Sequence, residues 1–214
     1  MKILFCNITW LDYYKGVSEE DRPKYGGSWV KDNLDAHEAY NFEAIKFNGD
    51  ETEYCLGFVE TKSTNGQDRN QLHIEKILGC GSYKNKDSVD DILVIWCAKD
   101  NCVDFTSVVG WYKHATVYRY HQDIDFDSGY VQACNVIAKA EDCVLLPKGI
   151  RHKKSLWYVP RKGKKNGLSY GFGQANVWFA NTAEDNQNLN NYLNKIVDQI
   201  NSYSGENWVN KYPS

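Results

Sequence analysis

The chain is predicted to be an α+β protein, a mixed or antiparallel curved β-barrel with flanking helices and one C-terminal helix. Three observations lead there. Stretches of β-branched and aromatic residues recur with short polar turns between them, rather than alternating with helices. One of them, within Asp91 to Ala98, is continuously apolar, which places it at the centre of a sheet with both faces covered. Only near the C-terminus does the apolar period become helical, with Leu189, Leu193, Ile196 and Ile200 on one stripe.

The elements follow in order. Ile3 to Ile8 reads as a short strand. Ser18 to Gly27 is polar and contains charges of both signs, hence a loop. Leu34 to Phe42 fits a short helix capped by Asp32 or Asn33. Glu53 to Thr61 is strand-like between two turn clusters, and Gln71 to Leu78 carries an alternating strand pattern. Ser107 to Tyr120 is a long β-branched and aromatic stretch, Tyr130 to Ile137 and Glu141 to Leu146 are two more strands, and Asn176 to Ala180 is the last. Thr182, with Asp185 three residues on, resembles a capping box and opens a helix over about 182–203.

A length of 214 residues and 42% hydrophobic content suit one domain spanning 1–214, and no linker or repeat divides it. No apolar run approaches the roughly 20 residues of a membrane span, and the N-terminal apolar stretch is too short for a signal peptide. A cytoplasmic protein is expected. Its seven cysteines show no CxxC spacing, so they read as reduced core residues rather than zinc ligands.

Charge is more informative. Eight of the 25 basic residues fall between Lys148 and Lys165 with no acidic residue among them: Lys148, Arg151, Lys153, Lys154, Arg161, Lys162, Lys164 and Lys165. The rest of the chain is acidic, so this segment forms a local anion-facing surface. His152, Trp157 and Tyr158 interleave the cations, the composition of a nucleic-acid groove as well as of a solvated loop. Lys148, Arg151, Lys153, Lys154, Arg161, Lys164 and Lys165 are the candidate phosphate contacts.

Catalytic motifs are thin. There is no P-loop, no GxSxG elbow and no complete GxGxxG. Asp123, Asp125 and Asp127 alternate with Ile124 and Phe126 and lack the glycine and glutamate of a calcium loop, which favours a charged strand face or turn. Glu60-Thr-Lys62 and Glu75-Lys76 match nuclease fragments only at the level of chance. No metal, no cofactor and no catalytic residue is assigned. Aromatics are the compositional outlier, with seven Trp, fifteen Tyr and eight Phe. Four segments combine them with glycine and amides: Asn7 with Trp10, Gly26 to Trp29, Gly110 to His114, and Gly171 to Trp178. A pocket for a flat heterocycle needs two apolar faces and an edge of hydrogen-bonding groups, for which Asn7, Gln174 and Asn176 are candidates.

The segments Ile3 to Trp10 with Tyr13 to Gly16, Gly27 to Val30, Gly110 to Tyr118 and Gly173 to Trp178 together resemble a bacterial domain found alone or ahead of HNH nuclease modules. That domain is similar in outline to the PUA-like group of EVE, YTH, ASCH and SRA readers. The resemblance implies a small curved barrel that reads a modified or flipped base in an aromatic cage, in a setting such as restriction-modification. Carried onto this chain, it points to Asn7, Trp10, Trp29, Trp111, Tyr112, Gln174, Asn176 and Trp178 as base-binding residues. This sequence carries no HNH module, so any cleavage would come from a partner nuclease subunit or would not occur. The expected function is nucleic-acid binding, DNA ahead of RNA. Two other classes stay open: a nuclease or nucleotide hydrolase that acts on the same class of ligand through His or carboxylate groups, and a phage or defence-system protein that uses the pocket for a free nucleotide.

Overall fold

The computed structural model describes residues 2–23, 37–47, 49–61, 71–126, 129–163, 167–182 and 185–213. Its strands are β1 (Ile3–Asn7), β2 (Ala44–Lys46), β3 (Glu53–Gly57), β4 (Ser88–Ala98), β5 (Thr106–Asp125), β6 (Val131–Lys139), β7 (Cys143–Leu145), β8 (Tyr158–Val159) and β9 (Val177–Trp178). The helices are α1 (Lys148–Arg151), α2 (Lys154–Trp157) and α3 (Gln187–Ser202). All nine strands belong to one mixed sheet in the order β2-β3-β6-β5-β4-β1-β9, with β7 and β8 also paired to β5. β1 runs parallel to β4, from Ile3 beside Leu93 to Asn7 beside Cys97, and the other strand pairs are antiparallel. The α+β class is therefore as expected. Closure into a barrel is not seen: no pairing joins β2 to β9 among the described residues.

Strand alternation divides the interior into two cores. Leu4, Cys6, Val94, Trp96 and Tyr112 face one core, while Ile3, Phe5, Ile95, Cys97 and Trp111 face the other. The central position predicted for the Asp91–Ala98 run follows directly, since β4 lies between β1 and β5 and both its faces are covered. The second core is roofed by α3, whose Leu189, Leu193, Ile196, Val197 and Ile200 are all buried. Six of the seven cysteines are buried thiols and Cys102 is exposed; all are unbridged.

β5 organises the sheet. Its 20 residues pair with β4 along one edge and with β8, β7 and β6 in succession along the other. The glycine at 110 makes the β7 pairing possible, because a Cβ there would stand 2.3 Å from the Val144 carbonyl oxygen and 2.6 Å from the Phe42 ring.

Four local expectations change. Gln71 to Leu78 is not a strand: it holds a 3-10 turn at Ile74–Lys76, with Leu72, Ile74 and Ile77 buried beneath it. The C-terminal helix begins at Gln187, because the Asn186 side chain accepts from the Leu189 N–H at 3.1 Å and so supplies the cap expected from Thr182. The 34–42 helix reduces, among the described residues, to a 3-10 turn at His37–Tyr40. The basic segment is not a plain loop either, since it carries α1, α2 and β8. Among the described residues no helix is long and apolar enough to cross a membrane.

Candidate functional site

β1 ends where three segments meet it. The Asn7 N–H donates to the Asn176 carbonyl at 2.7 Å, and the Ile8 N–H to that of Cys97 at 2.8 Å. The Asn176 side chain reaches across to the Glu60 carbonyl at 3.3 Å, which ties the chain beyond β3 to the start of β9. Between these residues and the turn at 71–76 lies an open cleft of about 270 Å³. Glu60 and Thr61 form one wall, Gln71, Leu72, His73 and Lys76 a second, and Ala175, Asn176, Val177 and Phe179 a third. Its lining combines polar side chains with the apolar Leu72, Val177 and Phe179.

The second wall is fixed from behind by Arg119 of β5, which is almost fully buried. Its Nε donates to the Lys86 carbonyl (2.9 Å) and its Nη2 to those of Tyr83 and Lys84 (both 2.9 Å). Nη1 donates to Gln71 Oε1 (3.3 Å) and Glu75 Oε2 (2.8 Å). Each guanidinium N–H thus has a partner. Glu75 in turn bonds His73 Nδ1 through its other oxygen at 2.9 Å. Burial pushes the Glu75 carboxyl upward, yet bonds from its own backbone N–H, Arg119 and His73, with the Arg119 charge, outweigh that and hold it at about 2. An ionised Glu75 only accepts, so His73 Nδ1 carries the proton.

A second carboxyl, Glu38, senses the charge of Glu60. Glu38 Oε1 accepts from the Thr9 N–H at 2.8 Å. Burial raises Glu38 to about 7; the Thr9 bond opposes this and the nearby Glu60 charge adds to it.

Of the residues expected to bind a base, Asn176 lines this cleft, and Asn7 is joined to it by its backbone N–H without lining the cleft itself. Trp178 is close by, half-buried in the β1–β9 pairing and stacked on Phe5 with ring centroids 4.5 Å apart. Gln174 is exposed in the approach to β9. Three expectations are corrected. Trp10 is fully buried, stacked on His152 at 5.4 Å, with its indole N–H on Asp12. Trp111 is enclosed by the second core against Trp157, and Tyr112 by the first core between Phe42 and Trp96. All three are buried and none lines the cleft; each fills a core, the commonest use of a large ring. Trp29 lies outside the described residues.

The cations divide in the same way. Arg151 is fully buried and donates to the carbonyls of Leu146 (2.6 Å), Leu11 (2.7 Å) and Asp12 (2.7 Å), so it pins the 11–12 turn to α1 rather than meeting phosphate. Lys148 pairs with Asp12 at 2.7 Å. Lys153 and Lys162 are exposed, as is Lys154, which also lies 3.6 Å from Asp104. Arg161 donates to Thr106 Oγ1 at 2.9 Å and to Asn7 Oδ1 at 3.2 Å. Lys164 and Lys165 lie outside the described residues.

Sequence reading did not place Gln71, His73 or Lys76 at a site. The His73-x-Glu75 spacing is the available signal, and it acquires meaning only through Arg119, 44 positions further along. Among the described residues no group of three or more His, Cys, Asp or Glu is arranged to hold a metal ion. Comparison with family models, with curated proteins and with solved structures finds no match to this chain.

Proposed function

We propose that the chain is a nucleic-acid-binding module that takes one base, plain or modified, into the cleft between the 71–76 turn and β9. The observation that carries this reading is a continuous chain of contacts. Arg161, in the second half of the basic segment, donates to Asn7, and the Asn7 backbone donates to Asn176 on the cleft wall. A backbone tracked by Lys153, Lys154 and Lys162 would deliver an extruded base beside amide groups that can bond its edge. The role is of the kind that the PUA-like resemblance implies, a base read at a curved sheet. It is supported here by amides and His73 rather than by a tryptophan cage.

The test is an anisotropy titration with labelled single- and double-stranded oligonucleotides at two salt concentrations. Lys153→Ala/Lys154→Ala/Lys162→Ala should weaken binding to every sequence and reduce the slope of log K against log salt by about 2–3. Asn176→Ala should leave that slope intact and lose about 1–2 kcal/mol of base-dependent affinity. Wild-type binding that neither variant changes, or no binding at all, overturns the reading.

A second reading has its own observation. His73, oriented by Glu75 and Arg119, has the form of a positioned proton acceptor, which suits hydrolysis of a nucleotide in the same cleft. Product release from a nucleotide panel, lost in His73→Gln with binding retained, would favour it.

A further inference from the structure

We infer that the cleft selects a guanine-type edge, one hydrogen-bond acceptor beside two donors. This rests on the base-binding reading above and names its ligand class.

The fold has already committed several of the polar atoms around the cleft. Gln71 gives its Oε1 to Arg119, so it offers the cleft its amide N–H groups. His73 directs Nδ1 at Glu75, so as a neutral imidazole it offers Nε2 as an acceptor. Asn176 directs its amide nitrogen at the Glu60 carbonyl, which leaves Oδ1 as an acceptor. The exposed Glu60 carboxylate, a further acceptor with two oxygens, has no hydrogen-bond or ion-pair partner among the described residues. Arg119 sets the first two assignments at once, since a single Nη1 holds both Gln71 and Glu75.

Fixed amides and a fixed imidazole thus present one donor and two acceptors, and the carboxylate strengthens the acceptor side. The complementary ligand edge has one acceptor and two donors. Guanine has it, with O6 accepting and N1–H and N2–H2 donating. Cytosine presents one donor and two acceptors, thymine and uracil two acceptors around one donor, and adenine one of each. A carboxylate facing two adjacent donors makes a paired, charge-assisted contact that only the guanine edge completes. Lys76, also exposed on this wall, adds a cation for O6 or the neighbouring phosphate.

The probes are otherwise identical oligonucleotides carrying a single unpaired guanine, hypoxanthine, adenine or cytosine. Guanine should bind at least about tenfold more tightly than adenine or cytosine. Hypoxanthine, which lacks the 2-amino donor, should fall between them. Glu60→Gln should erase the guanine-over-hypoxanthine difference, and Gln71→Glu, which turns the donor into an acceptor, should erase the guanine-over-adenine difference. Both residues lie at the surface of the cleft, and retained salt-sensitive binding shows that the variants are folded. Equal binding of the four bases, with the Asn176→Ala loss still present, overturns the edge assignment and leaves base binding standing. If Asn176→Ala is also silent, the cleft is not the base site and both readings fall.

Discussion

At the scale of single residues, the buried polar groups give the sharpest expectations. Arg151 satisfies three carbonyls from inside the protein. Arg151→Met keeps much of the volume but strands those acceptors, so chemical denaturation should show a loss of about 3–5 kcal/mol. A near-neutral effect would return Arg151 to the surface role expected from sequence. Glu38 is a separate case. Burial raises its folded value to about 7, above the ordinary 4.5, so the fold holds this proton more tightly than the unfolded chain does. The stability it contributes is complete below 4.5 and is lost as pH rises through about 7. Glu38→Gln keeps an acceptor for the Thr9 N–H and should flatten that part of the profile, and denaturation midpoints at about pH 5 and pH 8 would reveal it. An unchanged slope would mean that Glu38 titrates normally. Asn7 and Asn176 were legible as site candidates because amides beside glycine and aromatic residues suit a heterocycle edge. The tryptophans were not separable, since a ring that lines a pocket and one that fills a core have the same sequence signature, and Trp10, Trp111 and Tyr112 fill cores.

At the scale of elements, local pattern was informative where one interaction dominates. The apolar run of β4 and the helical stripe of α3 both declare their burial, and both are found. The start of α3 was less legible because Thr182 and Asn186 are both good caps; the one whose side chain reaches a helical N–H decides. Asn186→Ala should therefore lower stability by about 1 kcal/mol in thermal unfolding, while Thr182→Ala should change little. The reverse result would move the helix start back toward 182. The 71–78 segment misled for a physical reason. Its alternation suggested a strand, but among the described residues its backbone meets β5 only through the Leu72 N–H, which donates to the Arg119 carbonyl at 2.6 Å, and the Arg119 side chain gathers Gln71, Glu75 and three carbonyls of the 83–86 stretch around one guanidinium. Such a contact links positions distant in the chain and leaves no local pattern. Gly110→Ala probes the sheet itself. A methyl group 2.3 Å from the Val144 oxygen forces β7 off β5, with an expected loss of about 1–3 kcal/mol by denaturant titration.

At the scale of the whole molecule, strand number and turn spacing conveyed a mixed sheet but not its ends. Closure depends on whether β2 and β9 meet, and each is a short strand whose pairing is set by distant residues. Charge was legible as a cluster, but which cations stay in solvent depended on α1 and α2, which turn Arg151 inward and leave Lys153 exposed. β5, hydrogen-bonded to four other strands along its two edges from Thr106 to Asp125, also ranks the molecule in time. Amide protons at its centre can reach solvent only when the sheet comes apart as a unit, whereas those at β2 and β9 escape through small openings at the margin. The cleft wall at β9 should therefore exchange ahead of the centre of the sheet. A bound base would register first as slowed deuterium uptake at Asn7, whose N–H is held by Asn176, while β5 would stay unchanged.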